Sequence, residues 1–425
     1  MRQISQWAAL TAIVLVALGC GGCLAQDPGL VQDPGLVQDP GLVQDLGLVQ
    51  RRVVYSFPPV GEYQVLMGDF HMHTTHSDGV LTPAERVLEA YKSGYDTIAL
   101  ADHGNFLAYA EVEQQARDLG LILLRGMENG LQPMANGKGH IVCLDFSADY
   151  QPRNPHEWAS TPEEAAATGR VYYQDEMREI HRLGGVMIYA HPNADLLAPE
   201  RWGMEQGFIV GTEVYNKVVS NGPDMLRFQG LPGFPQALDW AAQYGIGVYS
   251  DSDLHLAEDG IVNDPRYCEP AGRGRNLLLV TERSHDGVMD AIRHARILAW
   301  TPAGETYGVS FEAMLFGPRD LLAAYVGASA QVELREQGLE ANAADTALRN
   351  LGAVPLKARV TLDGVLLDEL TVEQGQEYVL HHTQAAAQLT IEWLNLWDTT
   401  RHNLVTTYQA VDLNGQRVWR PEQNN

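Results

Sequence analysis

Cysteine is scarce in this sequence: four among 425 residues, at positions 20, 23, 143 and 268. They supply no disulfide framework and no zinc–thiolate spacing, which excludes a stapled scaffold and a thiolate-held metal. Basic residues are also short, with 29 Lys and Arg against 54 Asp and Glu and a formal net charge of −25. A phosphate backbone needs a basic surface, so general nucleic-acid binding is not expected of this chain. Long apolar runs are missing as well, and the one at residues 8–18 is too short to cross a bilayer comfortably. What is present is an ordinary hydrophobic share of 45%, enough to bury a large core.

The first 25 residues carry an export pattern. Arg2 starts it, the apolar run follows, and small residues and cysteines close it in Ala17-Leu18-Gly19-Cys20-Gly21-Gly22-Cys23-Leu24-Ala25. The stretch resembles a bacterial lipoprotein signal with Cys20 as the acylated residue; cleavage after Ala25 without a lipid is the alternative. Residues 26–50 repeat Gln-Asp-Pro-Gly-Leu-Val from positions 26, 32 and 38, then close with Gln44-Asp-Leu-Gly-Leu-Val. Asp-Pro-Gly favours turns, and units this short cannot stack into a solenoid core. They read as a spacer. The protein is therefore expected to be exported, whether periplasmic, extracellular or lipid-anchored at the cell envelope. It would touch the membrane only through that anchor.

From residue 65 onward, short apolar runs alternate with helical stretches. The runs lie at 65–70, 97–101, 121–124, 140–146, 186–190, 208–214 and 246–249, with a further one at 276–280. Alternation of this kind predicts an α/β fold with a parallel sheet. Thr82-Pro83-Ala84-Glu85 predicts a helix start, with Thr82 as N-cap, Pro83 in the first turn and Glu85 closing a capping box. That helix ends at Gly94, and further helices are expected over 175–183 and 286–298. After residue 305 the texture turns to alternating strands, at 310–315, 330–334, 356–361, 369–372, 388–393 and 406–411, with a turn at Asp363-Gly364. The expected organisation is a barrel over 51–304 and a small all-β, sandwich-like domain over 305–425.

Most of the apolar runs end in a reactive side chain. Gly68-Asp-Phe-His71-Met-His73 puts two histidines two residues apart, on one side of a strand. Asp78 follows in the loop and can reach back to them. His103 comes after the second run, Glu128 after the third, His191 after the fifth, and Asp253 and His255 after the seventh, while His140 opens the fourth. A barrel brings such ends to one mouth, and functional residues gathered there argue for a barrel rather than an open sheet. Asp102 is expected to orient a ligand and Asp251 to cap a loop. Glu213, in Glu-Val-Tyr-Asn216, is expected either to line the pocket or to support the strand. Arg273 and Arg275 are read as a solvated loop or as a clamp for a substrate anion.

In order along the chain, these residues match the PHP (polymerase and histidinol phosphatase) family, whose pattern is His-x-His, an acid or histidine, Asp-His, Glu, His, His-Pro and Asp-x-His. The resemblance covers about residues 67–300. It implies a distorted (β/α)7 barrel holding two or three divalent ions, with zinc, manganese or iron suited to imidazole and carboxylate donors. It implies one ion on His71, His73, Glu128 and Asp253, a second on Asp78, His103 and His255, and a third on Glu128, His140 and His191. Asp253, His255 and Glu128 are then the catalytic residues. Secreted members of the CehA/McbA type are similar in Thr74-Thr75-His76-Ser77-Asp78-Gly79 and in Glu213-Val-Tyr-Asn216.

Three carboxylates carry fewer negative charges than two divalent ions carry positive, so the site would be net positive inside an acidic protein and would draw in a phosphate-like anion. A water held between ions loses its proton near neutral pH and becomes the nucleophile. The expected activity is a phosphoesterase acting on a small-molecule ester through a metal-bound hydroxide. A carbamate or carboxylic ester hydrolase, or a noncatalytic metal-binding surface protein, are the alternatives. An amidohydrolase would need a lysine at a strand end, and the candidate Lys138 lies instead in a Gly-rich stretch.

Overall fold

The computed structural model describes residues 52–131, 139–151, 157–217, 233–258, 268–269, 273–301, 303–306, 309–336, 343–383, 386–399, 402–414 and 416–422. The export leader with Cys20 and Cys23, the repeat and Lys138 lie outside the described residues. Strand and helix alternate as expected: β1 (Gln64–Asp69), α1 (Pro83–Lys92), β2 (Thr97–Leu100), α2 (Leu107–Asp118), β3 (Ile122–Leu131), β4 (His140–Leu144), β5 (Glu157–Trp158), α3 (Pro162–Thr168), α4 (Tyr173–Arg182), β6 (Val186–Ala190), α5 (Ala198–Glu205), β7 (Ile209–Asn216), α6 (Gln236–Tyr244) and β8 (Gly247–Asp251). The two-residue strands β9 (Ala257–Glu258) and β10 (Cys268–Glu269) precede β11 (Arg275–Val280), α7 (His285–Arg293) and β12 (Ile297–Thr301). The capping box at Thr82 and Glu85 forms, with Pro83 in the first turn. Helix α7 stops short of the expected 286–298, because Ala295 turns the chain with φ +53° and Ile297 already pairs with Leu278 across to β11.

The strand order is β12-β11-β1-β2-β3-β4-β6-β7-β8 within a larger mixed sheet. Four of its ladders are parallel, β1–β2, β2–β3, β6–β7 and β7–β8. Four are antiparallel, β1–β11, β11–β12, β3–β4 and β4–β6. The parallel sheet expected from the sequence is therefore a mixed one, and the ladders do not show the distorted (β/α)7 barrel. Residues 132–139 alone separate β3 from β4, fewer than the dozen or so that a parallel crossover needs. Among the described residues no backbone ladder joins β8 to β11 or β12. Side chains make that contact instead: Ser250 N–H donates to Asn276 Oδ1 at 2.8 Å, and Asn276 Nδ2 donates to Asp251 Oδ1 at 2.6 Å. One face of the sheet collects Phe70, Ala99, Leu124, Val142, Ile188, Tyr249 and Leu278 into a single buried core. Burying the Phe, Leu, Val and Ile side chains among them stabilises by about 1.5–3 kcal/mol each.

The C-terminal region is rich in strands: β13 (Gly304–Thr306), β14 (Val309–Phe311), β15 (Met314–Phe316), then α8 (Arg319–Ser329), β16 (Ala330–Glu336), β17 (Ala343–Asn350), β18 (Leu356–Leu362), β19 (Val365–Val372), β20 (Glu377–Thr383), β21 (Gln388–Thr399), β22 (His402–Leu413) and β23 (Gln416–Pro421). The main sheet runs on into it through β12–β15 and β15–β21. A three-stranded sheet, β16-β17-β20, forms a second layer. Its Leu334, Leu348 and Leu380 share one core with Val360, Ile391 and Trp393 of the main sheet. Helix α8 was not expected. Its Leu322, Tyr325, Val326 and Ser329 are buried at helical spacing. No helix among the described residues is long and apolar enough to cross a membrane.

Candidate metal centre

The strand ends bring all nine expected residues to one rim. His71 and His73 follow β1, His103 follows β2, Glu128 lies in β3, His191 follows β6, and Asp253 and His255 follow β8. His140 opens β4 rather than ending it. It reaches the same rim because β4 runs antiparallel to β3, with His140 opposite Gly130. Past the strand ends, Met72 and Leu254 form a parallel bridge, His73 N–H donates to Leu254 O at 3.0 Å and Asp253 N–H donates to His71 O at 2.7 Å.

Glu128 sits at the centre. Its Oε1 is 2.7 Å from His140 Nδ1, 3.0 Å from His191 Nε2 and 3.2 Å from His71 Nε2. Its Oε2 is 3.0 Å from His103 Nδ1 and 3.3 Å from His73 Nε2. Asp253 Oδ1 lies 3.1 Å from His73 Nε2 and 3.3 Å from His71 Nε2. Asp78 closes the outer side, with His255 Nε2 at 3.3 Å and His103 Nε2 at 3.6 Å. Among the described residues three donor sets emerge, each with its ligand atoms within 4.8 Å of one another: His71, His73, Glu128 and Asp253; His73, Asp78, His103 and His255; and His103, Glu128 and His140. The first matches the set implied by the resemblance, and the second adds His73 to it. In the third, His103 stands where His191 was expected, although His191 shares the Glu128 oxygen with His140.

Within the first set, His71 Nε2, His73 Nε2, Glu128 Oε2 and Asp253 Oδ1 are buried and have no hydrogen-bond partner. The remaining atoms of these side chains are held. His71 Nδ1 meets Glu213 Oε1 at 2.8 Å, and Glu213 Oε2 accepts from His191 N–H at 2.6 Å and from Asn216 Nδ2 at 2.9 Å. His73 Nδ1 lies 3.3 Å from Ser77 Oγ, whose hydroxyl donates to Asp102 Oδ1 at 2.7 Å. His255 Nδ1 meets the Asp253 carbonyl at 2.8 Å. Each contact favours a proton on Nδ1 and leaves the Nε2 lone pair facing inward, the arrangement by which outer partners orient metal-ligating histidines. His191 and Asp253 also hold positive φ, +24° and +53°. Such backbone is uncommon outside glycine and concentrates at functional sites.

The electrostatics favour positive charge. Burial pulls the His71 pKa down, but Asp253, Glu128 and Glu213 more than offset it and hold it well above the ordinary value. Burial likewise opposes charge on His103, yet Asp78 and Glu128 push it up to about 10. Burial also works against ionising Glu128, and the surrounding His71, His140 and His103 still keep its pKa well below the carboxylate range. His140 goes the other way, because burial lowers its pKa further than Glu128 raises it.

Several supporting residues were misread or missed in the sequence. Glu213, for which lining and support were both open, is fully buried against His71 Nδ1. Arg273 is neither solvated nor a substrate clamp: it is buried over the Tyr95 ring at 4.7 Å, with an ion pair to Asp69 at 3.2 Å. Arg275 stacks on Trp300 at 4.5 Å and donates to Tyr55 Oη at 2.7 Å. Asp251 accepts from Phe70 N–H at 2.9 Å, tying β8 to β1. A lysine does follow a strand end, since Lys217 comes directly after β7, is buried, and donates its backbone N–H to Asp251 O at 3.2 Å. Arg86 gave no signal in the sequence beyond its place on α1, yet it is fully buried beneath the site.

A family model described as the PHP domain matches residues 69–182, which carry His71 through His140 but end before His191, Asp253 and His255. The 5'-3' exoribonuclease of Haemophilus influenzae is 42% identical over 79 residues, 18% of this chain and 28% of that protein. The error-prone DNA polymerase of Nocardia farcinica is 29% identical over 124 residues, 26% of this chain and 10% of that protein. The chain thus spans less than a third of the length of these curated relatives. A crystal structure of a two-domain protein containing a predicted PHP-like metal-dependent phosphoesterase, from Bacteroides vulgatus, superposes with a TM-score of 0.66 at 21% identity. That match covers 85% of this chain and 99% of the other. It shows a shared mixed α/β fold.

Proposed function

We propose that this protein is a metal-dependent phosphoesterase that releases phosphate from a small organic ester. One observation carries the reading: four buried donor atoms, on His71, His73, Glu128 and Asp253, converge without hydrogen-bond partners. Each of these atoms lies 3.0–3.3 Å from an oppositely charged group without hydrogen-bond geometry, and a fold that gathers four such atoms suits a cation. Imidazole with carboxylate favours zinc, manganese or iron over a site for magnesium or calcium, and the overlapping donor sets support two or three ions. When bound, the ions would polarise the ester and lower the pKa of a water.

The chain's own residues do the rest. Glu213 and Ser77 hold His71 and His73 in register. Asp78, His103 and His255 form the partly exposed side, where a substrate would arrive. Glu128, Asp253 and His255 are the groups nearest the reacting atoms in this reading. The acidic surface disfavours long nucleic acids, so the substrate is taken as a small molecule. We assign the chain to the CehA/McbA-type branch on Thr74 through Gly79 and Glu213 through Asn216. We take residues 1–25 as an export signal, with Cys20 as the lipid-bearing residue and residues 26–50 as a tether. The site would then work outside the cytoplasm, on a barrel-like unit over 51–304 supported by residues 305–425.

The test is turnover by the zinc- or manganese-loaded protein of p-nitrophenyl phosphate, p-nitrophenyl acetate, 1-naphthyl carbamate and a single-stranded oligonucleotide. Phosphate release that disappears in a folded His73→Ala variant supports the proposal. Turnover of the acetate or carbamate alone moves the assignment to a carboxylic or carbamic ester hydrolase. Ion uptake with no turnover at all leaves a metal-binding surface protein.

A further inference from the structure

Arg86 is an arginine with no access to solvent, on the face of α1 that lies under the donor sets. A buried charge of this kind is costly unless it is paired and hydrogen-bonded. Its Nε donates to His73 O at 3.1 Å, and one terminal nitrogen donates to Leu254 O at 3.2 Å and Leu256 O at 2.9 Å. The other terminal nitrogen pairs with Glu89, one turn along the same helix. Glu89 lies 3.7 Å from Arg273, and Arg273 reaches Asp69. Asp69 accepts from Ser252 N–H at 3.2 Å and Ser252 Oγ at 2.6 Å. The guanidinium thus spans two loops, at His73 and at Leu254, that are about 180 residues apart in sequence. One loop carries His73, and the other carries Asp253 and His255 on either side of Leu254.

We propose that Arg86 is a positioning residue that sets the separation of the His73 loop from the Asp253–His255 loop, and thereby the geometry of the donor sets containing His73. It touches neither ion nor substrate. The inference rests on the reading of those donors as metal ligands. The planar fork, with five N–H donors on three nitrogens, serves His73 O, Leu254 O, Leu256 O and Glu89 at once, and a lysine ammonium, with three donors on one nitrogen, cannot serve all four. Arg86→Lys keeps the charge and loosens the clamp.

The experiment loads the full chain with cobalt(II) and reads two quantities: affinity, by chelator competition, and the visible absorption spectrum, which reports coordination geometry. Arg86→Lys is expected to keep its far-UV circular dichroism, to lose about 10-fold or more in affinity and to shift the spectrum. A double-mutant cycle with His255→Ala is expected to be non-additive, because both changes act on the same loop pair. Should Arg86→Lys fail to fold, Glu89→Gln carries the test. It removes the charge partner of Arg86 and is expected to shift the cobalt spectrum in the same direction. Parent-like affinity and spectrum in the folded variants, or strict additivity with His255→Ala, would overturn the positioning role alone. Failure of the parent to bind cobalt, zinc or manganese at all would overturn the metal reading as well.

Discussion

Glu213 Oε1 lies 2.8 Å from His71 Nδ1, and both side chains are fully buried. A carboxylate in that place fixes the imidazole tautomer and directs Nε2 toward Glu128 and Asp253. Removing such an outer partner typically costs 10–100-fold in metal affinity. Glu213→Gln is therefore expected to weaken zinc binding by about that factor while the fold persists, as read by competition with a chromophoric chelator. Unchanged affinity would make Glu213 a purely structural residue.

Exposure differs sharply between the donor sets. Side chains of His71, His73, Glu128 and Asp253 are at most 3% exposed, whereas Asp78 is 57%, His255 24% and His103 20% exposed. Metal removal by a chelator is expected to proceed in two phases, fast from the Asp78 side and slow from the buried side. Asp78→Asn should abolish the fast phase only, measured by stopped-flow with a metal indicator. A single phase in the parent protein would contradict the division.

Glu200 on α5, which is not in any of the donor sets, offers a pH test. Burial raises its pKa from the ordinary value to about 7, opposed only in part by its hydrogen bonds. A carboxyl whose folded pKa exceeds its unfolded one binds a proton more readily in the native state. Its favourable contribution is present below the unfolded pKa, near 4.5, and is lost as pH rises toward about 7. The slope in that window is at most about 1.4 kcal/mol per pH unit. Glu200→Gln removes the cost of ionisation. The variant is expected to melt above the parent at pH 8 and close to it at pH 4.5 in scanning calorimetry.

The site was more legible in the sequence than the fold around it. His71 and His73 share a face because strand side chains alternate, and the other candidate residues follow or open apolar runs; it was their order along the chain, matching the PHP pattern, that singled them out. What pattern could not reveal was pairing direction. An apolar run such as 140–144 reads the same in a parallel or an antiparallel ladder, and only the short link from β3 hinted at the latter. The supporting shell was hidden for a related reason. Arg86, Asp69 and Arg273 are ordinary charged residues by type, and their burial arises from contacts across 168 to 204 positions in the chain. Helix α8 was missed because its buried residues are broken up by alanines and a glycine, which blur the apolar stripe.

Gly79 packs against the backbone of His73 and Thr74, next in the chain to the candidate ligand Asp78. A Cβ there would lie 2.6 Å from both the carbonyl carbon and the oxygen of His73, and 2.7 Å from Thr74 N. Those atoms cannot yield cheaply, because Thr74 N–H is held by Asp102 at 2.7 Å and His73 N–H by Leu254 O at 3.0 Å. The loop that carries Asp78 must move instead. Gly79→Ala is thus expected to retain its circular dichroism and the slowly released ion while losing the fast-exchanging one. Gly327 in α8 is the control, since a Cβ there meets nothing within 4 Å. Gly327→Ala should leave both ions in place and stabilise the helix by about 1 kcal/mol. If the two alanine variants retained equal amounts of metal by elemental analysis, the close packing of Gly79 against His73 would have no part in holding Asp78 at the site.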